Sequence, residues 1–138
     1  MKYLFSLIAI AIAFNVCVKA GKYSNIIKSM ATSCKAQENA SDQDVEELSN
    51  GKAPTTKEGK CLSACMGKQF GIIIDSKLSK EGFLSKAYFI LTSDSDKKKA
   101  DEVAEECKTV THDDRCEAAD LIWKCMVEGA KKRGVEIL

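Results

Sequence analysis

The stretch CKTVTHDDRCEAADLIWKC, residues 107–125, sets Cys107, Cys116 and Cys125 at nine-residue intervals. Three chemistries suit it: a metal site, a His112-Asp113 pair acting beside a cysteine, or a covalent frame. From Asp114 onward the pattern is helical. Asp114 and Glu117 stand in capping relation, and the segment closes on Lys131, Lys132, Arg133 and Gly134, a basic last turn with a glycine stop. At about 100° per residue, Cys116 and Cys125 emerge on opposite sides of this helix. A helix gripped by sulfur from two directions belongs near the middle of a fold. Its Ala118, Ala119, Leu121, Ile122, Trp123, Met126 and Val127 cover most of its circumference, which predicts burial on most sides.

Which chemistry applies depends on the compartment. The chain opens MKYLFSLIAIAIAFNVCVKA, with Lys2 at the start, a nearly unbroken apolar run from Tyr3 to Val18, and small residues at Val18 and Ala20. This is the pattern of a secretory signal peptide cut after Ala20. The apolar run is shorter than the roughly 20 residues of a membrane span, and no stop-transfer cluster follows. Residues 1–20 are therefore read as a signal peptide and residues 21–138 as one secreted domain, long enough to build its own core. Cleavage removes Cys17 and leaves six of the seven cysteines, an even number where thiols pair by default. It also removes Lys2 and Lys19, turning the formal charge from +1 to −1. No basic stripe points to nucleic acid, and no polybasic run points to lipid or stable membrane insertion.

The rest of the chain also reads at helical period. Tyr23, Ile26, Ile27, Met30, Ala31 and Cys34 form an amphipathic stripe, and SDQDVEEL (41–48) follows a capping Ser41. Gly51 and the sole proline, Pro54, break the chain. A helix through Cys61 and Cys65 then begins with Thr55 and Glu58 at capping-box spacing. GIIIDSKL (71–78) reads as a buried loop or a brief strand. Ser79 caps a helix whose Phe83, Leu84, Ala87, Tyr88 and Leu91 form one wide apolar face, and 93–107 carries a narrow stripe of Ala100, Val103, Ala104 and Cys107. The fold class is all-α, about six helices.

Cys61 and Cys65 lie one turn apart on one helix face, which favours bonds to other elements over a bond to each other. A structural zinc site wants four Cys/His ligands in tight pairs, whereas here there is one histidine and an oxidising compartment, so no metal is expected. No CxxC redox motif occurs. Six cysteines allow 15 pairings, and spacing alone does not choose among them.

The intervals between Cys34, Cys61, Cys65, Cys107, Cys116 and Cys125 are 26, 3, 41, 8 and 8 residues. With the signal peptide, the helical pattern and the length, this chain resembles the six-cysteine insect odorant-binding protein family. The resemblance implies pairing first to third, second to fifth and fourth to sixth: Cys34–Cys65, Cys61–Cys116 and Cys107–Cys125. It also implies a secreted carrier that solubilises a small hydrophobic molecule (an odorant, a pheromone or a similar lipid) in an apolar cavity framed by the helices, with no cofactor. A weak homodimer and an odorant receptor are partners that no residue here specifies. The residues expected to line the cavity are Met30, Ile73, Ile74, Phe83, Tyr88, Leu91, Ile122, Trp123 and Met126, each of which could equally serve as ordinary core. Val135, Ile137 and Leu138 are an apolar tail that could cover its mouth.

Two rivals are weighed. His112-Asp113 is superficially similar to the His-Asp pair of secreted phospholipases A2. The paired cysteines before the histidine and the glycine-rich calcium loop of that family are missing, so no catalytic residue is expected. A secreted helical protein with a structural, signalling or non-chemosensory carrier role would share the same composition. Asn39-Ala40-Ser41 is a glycosylation sequon, but Ser41 also suits a helix cap and many sequons stay bare, so an unmodified asparagine is favoured. With His112 as the lone histidine, pH-gated release has no support in the sequence.

Overall fold

Helix starts in this chain are set by short polar side chains that take up otherwise orphaned N–H groups. A computed structural model describes residues 28–135. The segment 1–20, Tyr23, Ile26 and Ile27 of the first stripe, and Ile137 and Leu138 of the tail lie outside the described residues. Helix α1 covers 28–38 and ends at Asn39, in the left-handed region at φ 53°. Helix α2 is Asp42–Ser49, and its start is a reciprocal box. Ser41 Oγ accepts from the Asp44 N–H at 3.1 Å, while Asp44 Oδ2 accepts from the Ser41 N–H at 2.8 Å.

Helix α3 is Lys57–Gln69, capped by Thr56 and not by Thr55. The one-residue displacement has a tertiary cause. Thr56 Oγ1 accepts from the Gly59 N–H at 2.9 Å and donates to Asp44 Oδ1 at 2.6 Å, a double role that pins α3 to α2. The segment 71–78 is a hairpin, with β1 (Ile73–Ile74) antiparallel to β2 (Lys77–Leu78) and Ile73 opposite Leu78. Asp75 and Ser76 both take positive φ, as a two-residue turn of the primed type requires.

Helices α4 (Lys80–Ile90), α5 (Asp94–Cys107) and α6 (Arg115–Arg133) start on Ser79, Ser93 and Asp114. Gly134, left-handed at φ 61°, ends α6 after its basic turn. Six helices and one small hairpin thus make up the described chain, and the fold is all-α.

Helix α6 packs on α3 and α5 and touches β2. It is less enclosed than its composition predicts: Leu121 is 40% and Val127 37% exposed, and Lys124 and Glu128 lie outward beside them. Its neighbours cover the faces of Cys116, Ala119, Ile122 and Met126 and leave the opposite face open. Helix α4 buries Phe83 and Ala87, and the residue that ends it, Leu91, is buried too, a narrower stripe than expected.

Three disulfides tie these elements: Cys34–Cys65 joins α1 to α3, Cys61–Cys116 joins α3 to α6, and Cys107–Cys125 joins α5 to α6. Two apolar clusters result, with α3 as the shared wall. The smaller holds Ala31, Cys34, Leu48, Leu62, Cys65 and Met66; the larger spans the hairpin, α4, α5 and α6.

Candidate functional site

The larger cluster is the candidate site, and its shape follows from side-chain size. Ile73, Leu78, Phe83, Leu91, Val103, Ile122 and Met126 supply bulk, while Ala87, Ala100, Ala104, Ala119 and Ala130 keep the helices close. Helices α5 and α6 approach closely at Gly129, where a Cβ would meet both methyls of Val103 at 3.3 Å. Helix α4 is seated at its first turn: a Cβ on Gly82 would stand 1.8 Å from the Gly71 carbonyl oxygen, so that position admits only hydrogen.

Outside this apolar interior, α5 is laced to its neighbours by charge. Lys80 of α4 reaches Asp101 at 3.0 Å and Glu105 at 2.9 Å, Lys108 also pairs with Glu105, and Arg133 of α6 reaches Glu102 and Glu106 at 3.2 and 3.0 Å. These are exposed pairs, each of modest energetic weight.

The structure gathers Ile73, Phe83, Leu91, Ile122 and Met126 into this cluster and sets Trp123, half-buried, on its rim. It does not bring Ile74, Tyr88 or Met30 to it among the described residues. Ile74 follows Ile73 in a strand, so the two point to opposite faces, and Ile74 is 55% exposed. Tyr88 sits one residue past the buried Ala87, about 100° round the helix, and is 41% exposed. Met30 is half-buried in α1, on the helix that serves the smaller cluster. Leu78, Val103 and Val135 belong to the cluster beyond the residues first expected to line it. Leu78 could be read from its cross-strand partner Ile73. Val103 stands on the narrow stripe of Ala100, Ala104 and Cys107 that the helical period marks as inward.

The α3–α6 side is polar. Lys60 Nζ donates to both Glu117 oxygens at 2.9 and 3.0 Å and lies 3.4 Å from Asp120, which Lys124 also reaches at 2.7 Å. The Glu117 hydrogen bond is the main cause holding the Lys60 ammonium above its ordinary pKa. Asp120 is buried, and its Oδ1 has no hydrogen-bond partner among the described residues.

His112 is exposed, and its Nδ1 accepts from the Asp114 N–H at 3.0 Å. Asp114 is in turn the cap of α6, its carboxyl held below the usual range by the Glu117 and Cys116 N–H groups. The imidazole thus serves the helix start, and the six described cysteines are all in disulfides. Among the described residues no group of three or more His, Cys, Asp or Glu could hold a metal ion, and no helix is long and apolar enough to cross a membrane. A surface cleft beside α2, lined by Gln43, Glu46, Glu47, Asn50 and Lys52, is polar.

Residues 20–129 match the model of the PBP/GOBP family. General odorant-binding protein 19d of Drosophila melanogaster is 36% identical over 111 residues, which cover 78% of this chain and 74% of that one. Among solved structures, odorant-binding protein dmelOBP28a from the same fly superposes with a TM-score of 0.73 at 32% identity, covering 85% of this chain and 99% of its own. The fatty acid binding protein OBP56a from the oral disk of the blowfly Phormia regina gives 0.67 at 21% identity, over 80% and 94% of the two chains, a likeness of fold.

Proposed function

The chain belongs to the PBP/GOBP family, and from that premise we propose that it is a secreted carrier of small hydrophobic ligands. The family match and the odorant-binding relatives support the coarser statement, a small-ligand carrier. The finer reading is ours. Residues 1–20 direct export and are removed, residues 21–138 form the carrier body, and the ligand lodges against the larger cluster, where Phe83, Leu91, Ile122 and Met126 meet Trp123.

The observation that carries this reading is the framing of that cluster. Its walls α5 and α6 are joined by Cys107–Cys125, and α6 is joined to α3 by Cys61–Cys116. Helices pinned in this way resist collapse onto an apolar space, whose emptiness costs roughly 24 cal/mol per Å³. An apolar ligand entering it gains about 25 cal/mol per Å² of surface removed from water. Trp123, half-buried at the rim, offers an indole N–H to a polar ligand end. Catalysis has no place in this account: His112 accepts from the Asp114 N–H, and Asp114 is engaged in capping α6.

The test is displacement of a fluorescent apolar probe from the purified, oxidised protein by a panel of volatiles and fatty acids. The expected result is probe uptake and its competitive loss at micromolar competitor. Absence of uptake by folded, fully oxidised protein would overturn the carrier reading in favour of a structural or signalling role.

A further inference from the structure

We infer that Asn39 is a site of N-linked glycosylation. Asn39-Ala40-Ser41 is the sole Asn-X-Ser/Thr triplet of the sequence, and its middle residue is not proline. In the folded chain Asn39 is exposed at the end of α1, in the left-handed conformation that turns the backbone away from the helix. Its amide makes no hydrogen bond among the described residues. Ala40 beside it is buried in the smaller cluster, and its N–H donates to the Lys35 carbonyl at 3.1 Å, so the backbone around the asparagine is fixed while the side chain faces solvent. A glycan there would project from the α1–α2 corner, in the half of the molecule that does not hold the proposed ligand cluster.

The objection from sequence is that Ser41 is taken. The structure shows it engaged twice, accepting from the Asp44 N–H and donating to Asp44 Oδ2 at 2.7 Å. The order of events removes the objection. Glycan transfer acts on the entering chain, before this box is stable. Helix α2 has eight residues, too few to hold a helix alone in water. Its partner Thr56, which bonds Asp44, and the Cys65 that fixes the preceding α1 through Cys34 follow later in the chain. At about 5–20 residues per second, their arrival lags Ser41 by on the order of seconds. During that interval the serine hydroxyl is free. In the transfer, Asn39 Nδ2 forms a bond to the anomeric carbon of a lipid-diphosphate-linked oligosaccharide. The carbon–oxygen bond to the diphosphate breaks, the lipid diphosphate leaves, and one amide proton goes to solvent.

This inference rests on the export part of the proposed function, and the experiment separates the two. The full chain is expressed in cells that N-glycosylate, and protein in the medium is analysed by mass before and after an N-glycosidase. Wild type and S41T, which keeps both sequon and cap, are expected to carry one glycan. N39D, which keeps the left-handed turn and the cap but lacks the acceptor amide, is expected to carry none. If the chain stays inside the cell, export fails, and the same chain behind a leader of proven export carries the glycan test unchanged. Medium protein at the bare polypeptide mass, or a glycosidase-sensitive shift that persists in N39D, overturns the assignment.

Discussion

The two halves on either side of α3 are held together by different chemistry. Beside the smaller apolar cluster, α2 is locked to the start of α3 by a polar node: the Asp44 carboxylate, buried to 3% exposure, accepts from Thr56, from the Ser41 N–H and from the Ser41 hydroxyl. Such bonds hold only in a narrow geometry, and this half is accordingly specific. Around α4, α5 and α6 the interior of the larger cluster is apolar, and side chains can exchange neighbours at modest cost. The division suits the proposed carrier, in which a fixed scaffold would accept an apolar guest.

The contrast is open to mutation. The largest effect is expected from Phe83→Ala, the deletion of the bulkiest buried side chain of the apolar half. It should cost about 3–5 kcal/mol in denaturant unfolding and weaken probe uptake. Leu62→Ala in the other half should destabilise the protein yet leave probe affinity of the folded fraction unchanged. Equal loss of affinity in both variants would erase the distinction between the halves. Next comes the covalent link across the boundary. Replacing Cys61 and Cys116 together by alanine opens a bond of sequence separation 55 and should lower stability by about 2–5 kcal/mol. Probe binding is expected to suffer more than it does from removal of Cys34 and Cys65. The reverse ranking would place the guest in the wrong half.

The smallest effect concerns the polar node. Burial pushes the Asp44 carboxyl upward, but the hydrogen bonds from Thr56 and Ser41 outweigh it and leave the pKa below its ordinary value. A depressed carboxyl stabilises the fold fully above the unfolded pKa, and that contribution drains away as pH falls through the folded one. Asp44→Ala should therefore cost about 1–2 kcal/mol near neutrality. The gap from wild type should close in strong acid, as read from denaturant midpoints across pH. Parallel profiles would show that the carboxylate is not the source.

Local chemistry is what the sequence reveals best. Ser41, Ser79, Ser93 and Asp114 are legible as helix starts because a cap needs only its own next few residues. Thr56 is not, since its choice over Thr55 depends on Asp44, twelve residues away in sequence. The helical period finds the inward positions Phe83, Leu91, Ile122 and Met126, but on a wide apolar face it does not say which edge stays wet. Tyr88, Leu121 and Val127 fall on that side. Disulfide pairing lies beyond spacing altogether, because it depends on how helices far apart in sequence come together. The family resemblance supplied what the intervals left open.

Of the four helices that meet in the middle of the molecule, α3, α5 and α6 each carry sulfur bonded to a neighbour, and α4 carries none. Two anchors on α6, nine residues or about 13 Å apart along its axis, forbid it to slide or roll. Helix α4 is held without sulfur: Gly82 rests on the Gly71 carbonyl, Lys80 pairs with Asp101 and Glu105, and Phe83 and Ala87 are buried in the larger cluster with Leu91 just beyond them. Its place is thus set by packing and charge with no covalent stop, which makes α4 the member of the four whose position a change of side chain alone can shift.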